Sequence, residues 1–241
     1  MTDIDLTGLS AALGGSQPLR GYLATPAGAG PWPGVVMIHE LFGLDDVNRR
    51  HADRLAAAGY LTLAVDLHSQ GGARRCLVAT MRSLMRGQGR AFTDIEVARQ
   101  WLGASPLCTG RVGVLGFCMG GGFALLTADT GFDVASVSYG QLPKDLDEAV
   151  SGACPMVASF GSADLTLRGA AGKLELALTQ AGVEHDVKEY PGAGHAFMND
   201  EANGPRPLRP LFRVAGVKPD PAAAADAWQR IENFFATHLQ E

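Results

Sequence analysis

The chain has 241 residues, 46% of them hydrophobic and 19% charged, a composition that fits a globular protein and excludes a disordered or fibrous one. It exceeds the roughly 100–150-residue mode for domains, so a single domain over residues 1–241 with an ample core and no disulfide staples is expected. Twenty Lys and Arg against 25 Asp and Glu give a formal charge of -5 without any block of like charge, which argues against nucleic acid and acidic membrane surfaces as partners.

From the N-terminus, Met1 to Leu6 carry neither a basic stretch nor an apolar one, so no export signal is expected and a cytoplasmic location is. Residues 18–25 read as an early antiparallel strand and 26–34 as a Pro/Gly-rich turn. Val35 to Ile38 form a continuous apolar run, the pattern of a strand covered on both faces in a parallel sheet. Asp45 or Asp46 caps a predicted helix that Gly59 ends. A strand is expected over Leu61–Val65, and a helix over 90–103, where Phe92, Ile95, Ala98 and Leu102 recur at helical spacing. Strand 112–115, helix 119–128, strands 134–138 and 155–160, helix 167–181, strand 185–190 and an Ala-rich helix over 221–238 complete the series. Strands alternating with helices predict an α/β domain, a mostly parallel central sheet with helices on both faces.

Residues 112–128 are uncharged over 17 positions, yet five of them are glycine. That composition marks a buried strand turning into a helix rather than a membrane span. Two irregular or semi-helical stretches break the rhythm, 68–89 with its arginines and 200–220 with its prolines, and each is either a lid or pocket wall or plain surface decoration. The four cysteines, Cys76, Cys108, Cys118 and Cys154, include no CxxC pair, so free thiols are expected and a zinc cluster is not.

Gly116-Phe117-Cys118-Met119-Gly120 follows one strand directly and opens the next helix. This is the G-x-nucleophile-x-G elbow with cysteine in the serine slot. The central residue is forced into a tight strand-to-helix turn whose flanks tolerate only glycine, and the helix N-terminus behind it favours negative charge on the sulfur. An acid and then a histidine must follow, each in the loop after a later strand. Asp164 leaves the strand at 155–160, although it could instead merely cap the helix beyond it. His195 follows the strand at 185–190 through Pro191-Gly-Ala-Gly194; taken alone it would be an ordinary surface histidine. The chain order Cys118, Asp164, His195 makes the three mutually supporting.

His39-Glu40-Leu41-Phe42-Gly43 ends the strand at 35–38. Glycine at position 43 denies the second histidine that zinc protease chemistry would need, so no metal is expected. By position the loop supplies an oxyanion-hole amide, assigned to Leu41 with the Met119 amide as the second donor, and Glu40 falls beside the thiol, where it can tune it. Asp66 precedes the nucleophile and is expected to order the loop at 67–72. Neither a phosphate loop nor a dinucleotide fingerprint is present, and no cofactor is expected.

Together the G-F-C-M-G elbow, the H-E-L-F-G-L loop, the G-x-x-D turn at 161–164, the G-A-G-H-A-F segment at 192–197 and the last helix resemble the dienelactone hydrolases of the α/β-hydrolase fold. The likeness runs from about residue 17 to 239. It implies a cofactor-free cysteine hydrolase of lactones or esters, with Cys118 as nucleophile, His195 as base, Asp164 as its orienting acid and Glu40 contacting the cysteine. That family's best-known enzyme grips a substrate carboxylate with two arginines. Here Asp66 to Gln70 and Met198-Asn199 occupy those places without one, leaving Arg74, Arg75, Arg206, Arg209 and Arg213 as substitutes from elsewhere. The expected substrate is therefore a small ester or lactone in the broad sense, taken by a monomer or weak homo-oligomer. The alternative is a non-catalytic binding or thiol-sensing protein that keeps the fold.

Overall fold

The structure, a computed structural model, describes residues 1–201 and 217–240. The core of the fold is an eight-stranded sheet. Its strands are β1 (Thr2–Asp5), β2 (Arg20–Ala24), β3 (Trp32–Ile38), β4 (Leu61–Asp66), β5 (Cys108–Phe117), β6 (Val134–Ser138), β7 (Met156–Gly161) and β8 (His185–Tyr190). They lie in the order β1-β2-β4-β3-β5-β6-β7-β8. The β1–β2 and β2–β4 pairs are antiparallel and the rest are parallel.

The helices are α1 (Thr7–Leu13), α2 (Asp46–Ala57), α3 (Ala73–Arg86), α4 (Arg90–Gly103), α5 (Met119–Leu126), α6 (Leu146–Val150), α7 (Ala170–Ala181) and α8 (Pro221–Leu239). Alternation along β5 separates the two faces of the sheet. Phe117 points toward α2 and α8, its ring 4.6 Å from that of His51 and 5.7 Å from that of Trp228. The neighbouring Gly116 points the other way, onto α5. Helix α4 packs there too, Phe92 meeting Phe123 of α5 edge-on at 5.2 Å, and α1 and α3 lie against α4.

The apolar runs of β3 to β6 account for the buried centre, since both faces of these strands are covered. Asp45 caps α2 by accepting from the Asn48 amide at 3.0 Å. Asp220 caps α8 by accepting from the Ala223 amide at 3.1 Å, with Pro221 in the first turn. Arg230 then pins α8 to the last two strands, donating to Asp186 Oδ2 at 2.9 Å and to Ser159 Oγ at 3.0 Å.

The predicted strands and helices all form, with β3 beginning at Trp32 inside the turn expected over 26–34, β5 longer than its apolar centre and the stretch after β7 opening as a 3₁₀ turn, Leu165–Leu167. Four elements were not anticipated. β1 adds the outermost strand, α1 packs on α4, the arginine-rich stretch 68–89 contains the regular helix α3, and the short helix α6 lies between β6 and β7. Of the second irregular stretch, 202–216 lies outside the described residues. No helix among the described residues is long and apolar enough to cross a membrane. The parallel strands β3, β5, β7 and β8 all end at the same edge of the sheet, where their loops meet.

Candidate active site

Cys118 sits between β5 and α5 with φ 53° and ψ -115°, a left-handed conformation that a non-glycine residue adopts only under constraint. The constraint comes from both flanks. A Cβ on Gly116 would overlap the Gly120 carbonyl oxygen, and one on Gly120 would overlap the carbonyl oxygen of Ile38. Glycine at these positions lets α5 press directly onto the ends of β3 and β5. The Cys118 amide donates to Ser138 O at 3.0 Å and its carbonyl accepts from Gly122 at 3.2 Å, so the backbone is fixed and only the thiol projects.

After β8 the chain doubles back through Gly192, at φ 76°. The Gly192 amide donates to Ser162 Oγ at 2.9 Å and the Ala163 amide to Ala193 O at 2.9 Å, tying this loop to the turn after β7. His195 is thereby placed with Nε2 3.0 Å from Cys118 Sγ and Nδ1 2.5 Å from Asp164 Oδ2. Asp164 is buried and uses both oxygens: Oδ1 accepts from the Thr166 amide at 3.0 Å and from its hydroxyl at 2.6 Å. It thus caps the 3₁₀ turn and holds the imidazole together. Burial opposes charge on His195, but Asp164 and the Cys118 sulfur outweigh it and push the imidazole up to about 10. Burial opposes charge on Asp164 as well, but the hydrogen bonds from His195 and Thr166 outweigh it and hold the carboxyl below its ordinary value.

Glu40 is buried at the end of β3, with Oε2 accepting from Asn199 Nδ2 at 3.0 Å. Asn199 Oδ1 in turn accepts from His51 Nε2 at 3.1 Å, which fixes which way round the amide lies. Desolvation pushes the Glu40 carboxyl up to about 7, against the lowering effects of Asn199 and His195. Burial also holds His51 below the usual imidazole range. Asp66 orders its loop as expected, accepting from the His68 amide at 2.9 Å. Leu41 and Met119 both border Cys118.

Two cavities flank the thiol. One, about 120 Å³, is lined by Glu40, Leu41, Phe42, Cys118, His195 and Ala196 with Val217. The other, about 250 Å³, lies on the α3 side against Met81, Met119, Tyr139 and Leu167, with Gln141 and Thr166 as its polar members. Among the described residues no group of three or more His, Cys, Asp or Glu side chains could hold a metal ion.

The sequence profile of the Dienelactone hydrolase family matches residues 19–239. The chain belongs to the dienelactone hydrolase family. Relatives carrying the name carboxymethylenebutenolidase in provisional form include one from Synechocystis sp., 27% identical over 92% of this chain and 93% of its own length. Another, from Azospirillum brasilense, is 29% identical over 97% of this chain and all of its own length. The crystal structure of a dienelactone hydrolase-like promiscuous phosphotriesterase from metagenomic libraries superposes with a TM-score of 0.79 at 24% identity, covering 98% of both chains. Thermogutta terrifontis esterase 2, in a structure phosphorylated by paraoxon, matches at a TM-score of 0.68 and 17% identity, over 91% of this chain and 89% of that one. At these identities both likenesses show the shared fold, that of the α/β-hydrolases.

In this dienelactone hydrolase relative, several side chains at the site had no role in the sequence reading. His51 reaches Asn199 across 148 positions, and no local spacing announces such a pair. Asn199 stood out only as a place without arginine. Tyr139, at φ 40° and with its ring 5.3 Å from that of His195, had one available signal: it follows a parallel strand at the edge where α/β sites form.

Proposed function

We propose that this member of the dienelactone hydrolase family hydrolyses small carboxylic esters or lactones through a thioacyl intermediate on Cys118. The observation that carries the reading is the continuous contact from Cys118 Sγ to His195 Nε2 at 3.0 Å and from His195 Nδ1 to Asp164 Oδ2 at 2.5 Å. His195 takes the thiol proton, and the sulfur attacks the carbonyl carbon. The carbonyl π pair moves to oxygen, where the Leu41 and Met119 amides stabilise it, a contribution of roughly 3–4 kcal/mol per donor in known cases. The imidazolium returns its proton to the departing alkoxide, and the neutral imidazole then draws a proton from water, which attacks the thioester carbon; the C–S bond breaks, the acid leaves, and the sulfur takes the proton back from the imidazolium. Asp164 keeps Nδ1 protonated and steadies the charge that His195 carries in between.

The substrate class follows from the cavities. At about 120 and 250 Å³ they fall below the roughly 300–1,000 Å³ of drug-sized ligand sites, and apolar side chains dominate both walls. Short acyl and alkyl groups, or a small lactone ring lying across the thiol, match that space. Glu40, with its carboxyl pushed up to about 7, is partly protonated near neutral pH, which lessens the negative charge in the cavity it shares with the Cys118 sulfur.

The test is turnover of short p-nitrophenyl esters and of an enol lactone by the wild type, Cys118→Ala and Cys118→Ser, with acid-quenched mass spectrometry of the protein. Wild-type turnover with an acyl mass on Cys118, and loss of both in Cys118→Ala, is expected. Equal rates in wild type and Cys118→Ala would overturn the reading.

A further inference from the structure

His39, the residue left over when the zinc protease pattern failed, is completely buried at the end of β3. Its two ring nitrogens have different jobs. Nδ1 lies 2.6 Å from the carbonyl oxygen of Glu40, and a carbonyl only accepts, so Nδ1 carries the hydrogen. Nε2 lies 3.1 Å from the Leu67 amide, which only donates, so Nε2 accepts. One ring thus bridges the loop after β3 to the loop after β4 in a single tautomer. The ring of His68 lies against it at 4.9 Å, and Asp66 Oδ1 is 3.6 Å from Nε2.

The Glu40 carbonyl also accepts from Gly43 at 3.3 Å, and the Glu40 amide donates to Asn48 Oδ1 at 3.3 Å. Both peptide groups flanking Glu40 are therefore held. The peptide between Glu40 and Leu41 is trans, since the only cis bonds among the described residues precede Pro18 and Pro31. In a trans peptide the carbonyl and the following N–H point in opposite directions. With the Glu40 carbonyl drawn onto His39, the Leu41 N–H is turned away from the imidazole. Leu41 itself lines both cavities that share Cys118. The first turn of α5, which supplies the Met119 amide, is pressed onto the Ile38 and His39 carbonyl oxygens by the bare Gly120.

We infer that His39 is a positioning residue for catalysis: by gripping the Glu40 carbonyl it aims the Leu41 amide at the oxyanion that forms beside Cys118. This rests on the proposed acyl-transfer reading, and the two fail differently. His39 touches neither the thiol nor His195 in this arrangement. Its loss therefore weakens the stabilisation of a tetrahedral oxyanion and leaves the reactivity of the sulfur intact.

The experiment compares wild type, His39→Leu and His39→Gln, the last keeping one donor and one acceptor. In His39→Leu, kcat for a p-nitrophenyl ester is expected to fall ~10–100-fold with KM changed less than about threefold, because a misaimed donor costs somewhat less than a deleted one. His39→Gln is expected to recover most of that loss. Alkylation of Cys118 by iodoacetamide, a displacement at carbon that forms no oxyanion, is expected to change less than about twofold. A trifluoromethyl ketone gives a readout independent of turnover. The sulfur adds to its carbonyl carbon and the π pair passes to oxygen, and ¹⁹F NMR reports the adduct, whose affinity is expected to drop in step with kcat. Unchanged kcat and adduct affinity in a folded His39→Leu would overturn the inference, as would a parallel loss of iodoacetamide reactivity. If His39→Leu does not fold, a His39→Gln variant as poor as Cys118→Ala in adduct affinity would also count against it. A wild type that turns over no ester yet binds the ketone refutes the proposed function while leaving the role of His39 measurable.

Discussion

Asn199 faces two ways at once, donating from Nδ2 to Glu40 at 3.0 Å and accepting on Oδ1 from His51 at 3.1 Å. The segment that returns from His195 is thereby fastened to β3 and α2 beneath the thiol. Immediately outside, Arg50 of α2 grips Asp200 at 2.5 Å and Glu201 at 2.7 Å. The buried amide fixes Glu40 in place, but hydrogen bonding offsets only part of the cost of ionising a carboxyl there.

That cost has a definite sign. Burial raises Glu40 from 4.5 to about 7, so the folded state holds a proton that the unfolded chain releases, and stability falls as pH climbs between those values. The full effect is about 3 kcal/mol at most. Glu40→Gln cannot ionise and escapes it. The melting temperature of Glu40→Gln relative to wild type is expected to rise from pH 5 to pH 8, and a constant difference across that range would show that folding does not raise the Glu40 carboxyl.

Asp164, together with the Cys118 sulfur, lifts His195 against burial. Asp164→Asn removes the anion but keeps the size, and is expected to lower kcat ~10³–10⁴-fold, as loss of the orienting carboxylate does in serine triads. The raised imidazole also makes a pH statement. The acylation rate of the wild type is expected to hold until the imidazolium is lost near 10 and then fall, and Asp164→Asn is expected to move that falling limb to lower pH. Stopped-flow pH profiles of both proteins read it, and coincident limbs would detach Asp164 from His195.

Gly161 ends β7 where the loop carrying His195 crosses it, and a Cβ there would overlap the Ala193 carbonyl oxygen. Gly161→Ala is expected to push that loop off the turn bearing Asp164. The expected result is a loss of activity of ~10–100-fold, since displacements near 1 Å have such effects, with roughly 1–3 kcal/mol of destabilisation in urea unfolding. Wild-type kcat in Gly161→Ala would mean that the loop yields without disturbing the imidazole.

Where local chemistry dictates structure, the sequence was informative. The glycine flanks of Cys118, the apolar runs of the central strands and the alternation of strand and helix are each forced by sterics or burial within a short window. What escaped was set by distant partners or by weak patterns. β1 lies on the sheet edge with mostly exposed side chains, so it lacks the alternation that marks a half-buried strand. α3 was masked by its arginines and bordering glycines, although Leu77, Met81 and Leu84 follow a helical period. The pairing of His51 with Asn199 and the grip of His39 on its neighbour's carbonyl depend on how loops fold back, and single positions do not encode that.

The sulfur and its base stand on β5 and β8, with β6 and β7 between them in the sheet. Adjacent strands rotate by roughly 20–25° in a fixed hand, so the angle at which the two side chains converge is inherited from the coil of the whole sheet. Alignment of the reacting atoms is thus stored in the stiffest layer of the molecule. Segments that carry none of the reacting groups, such as α3 with Met81 on the cavity wall, can be exchanged above that layer without retuning the chemistry underneath.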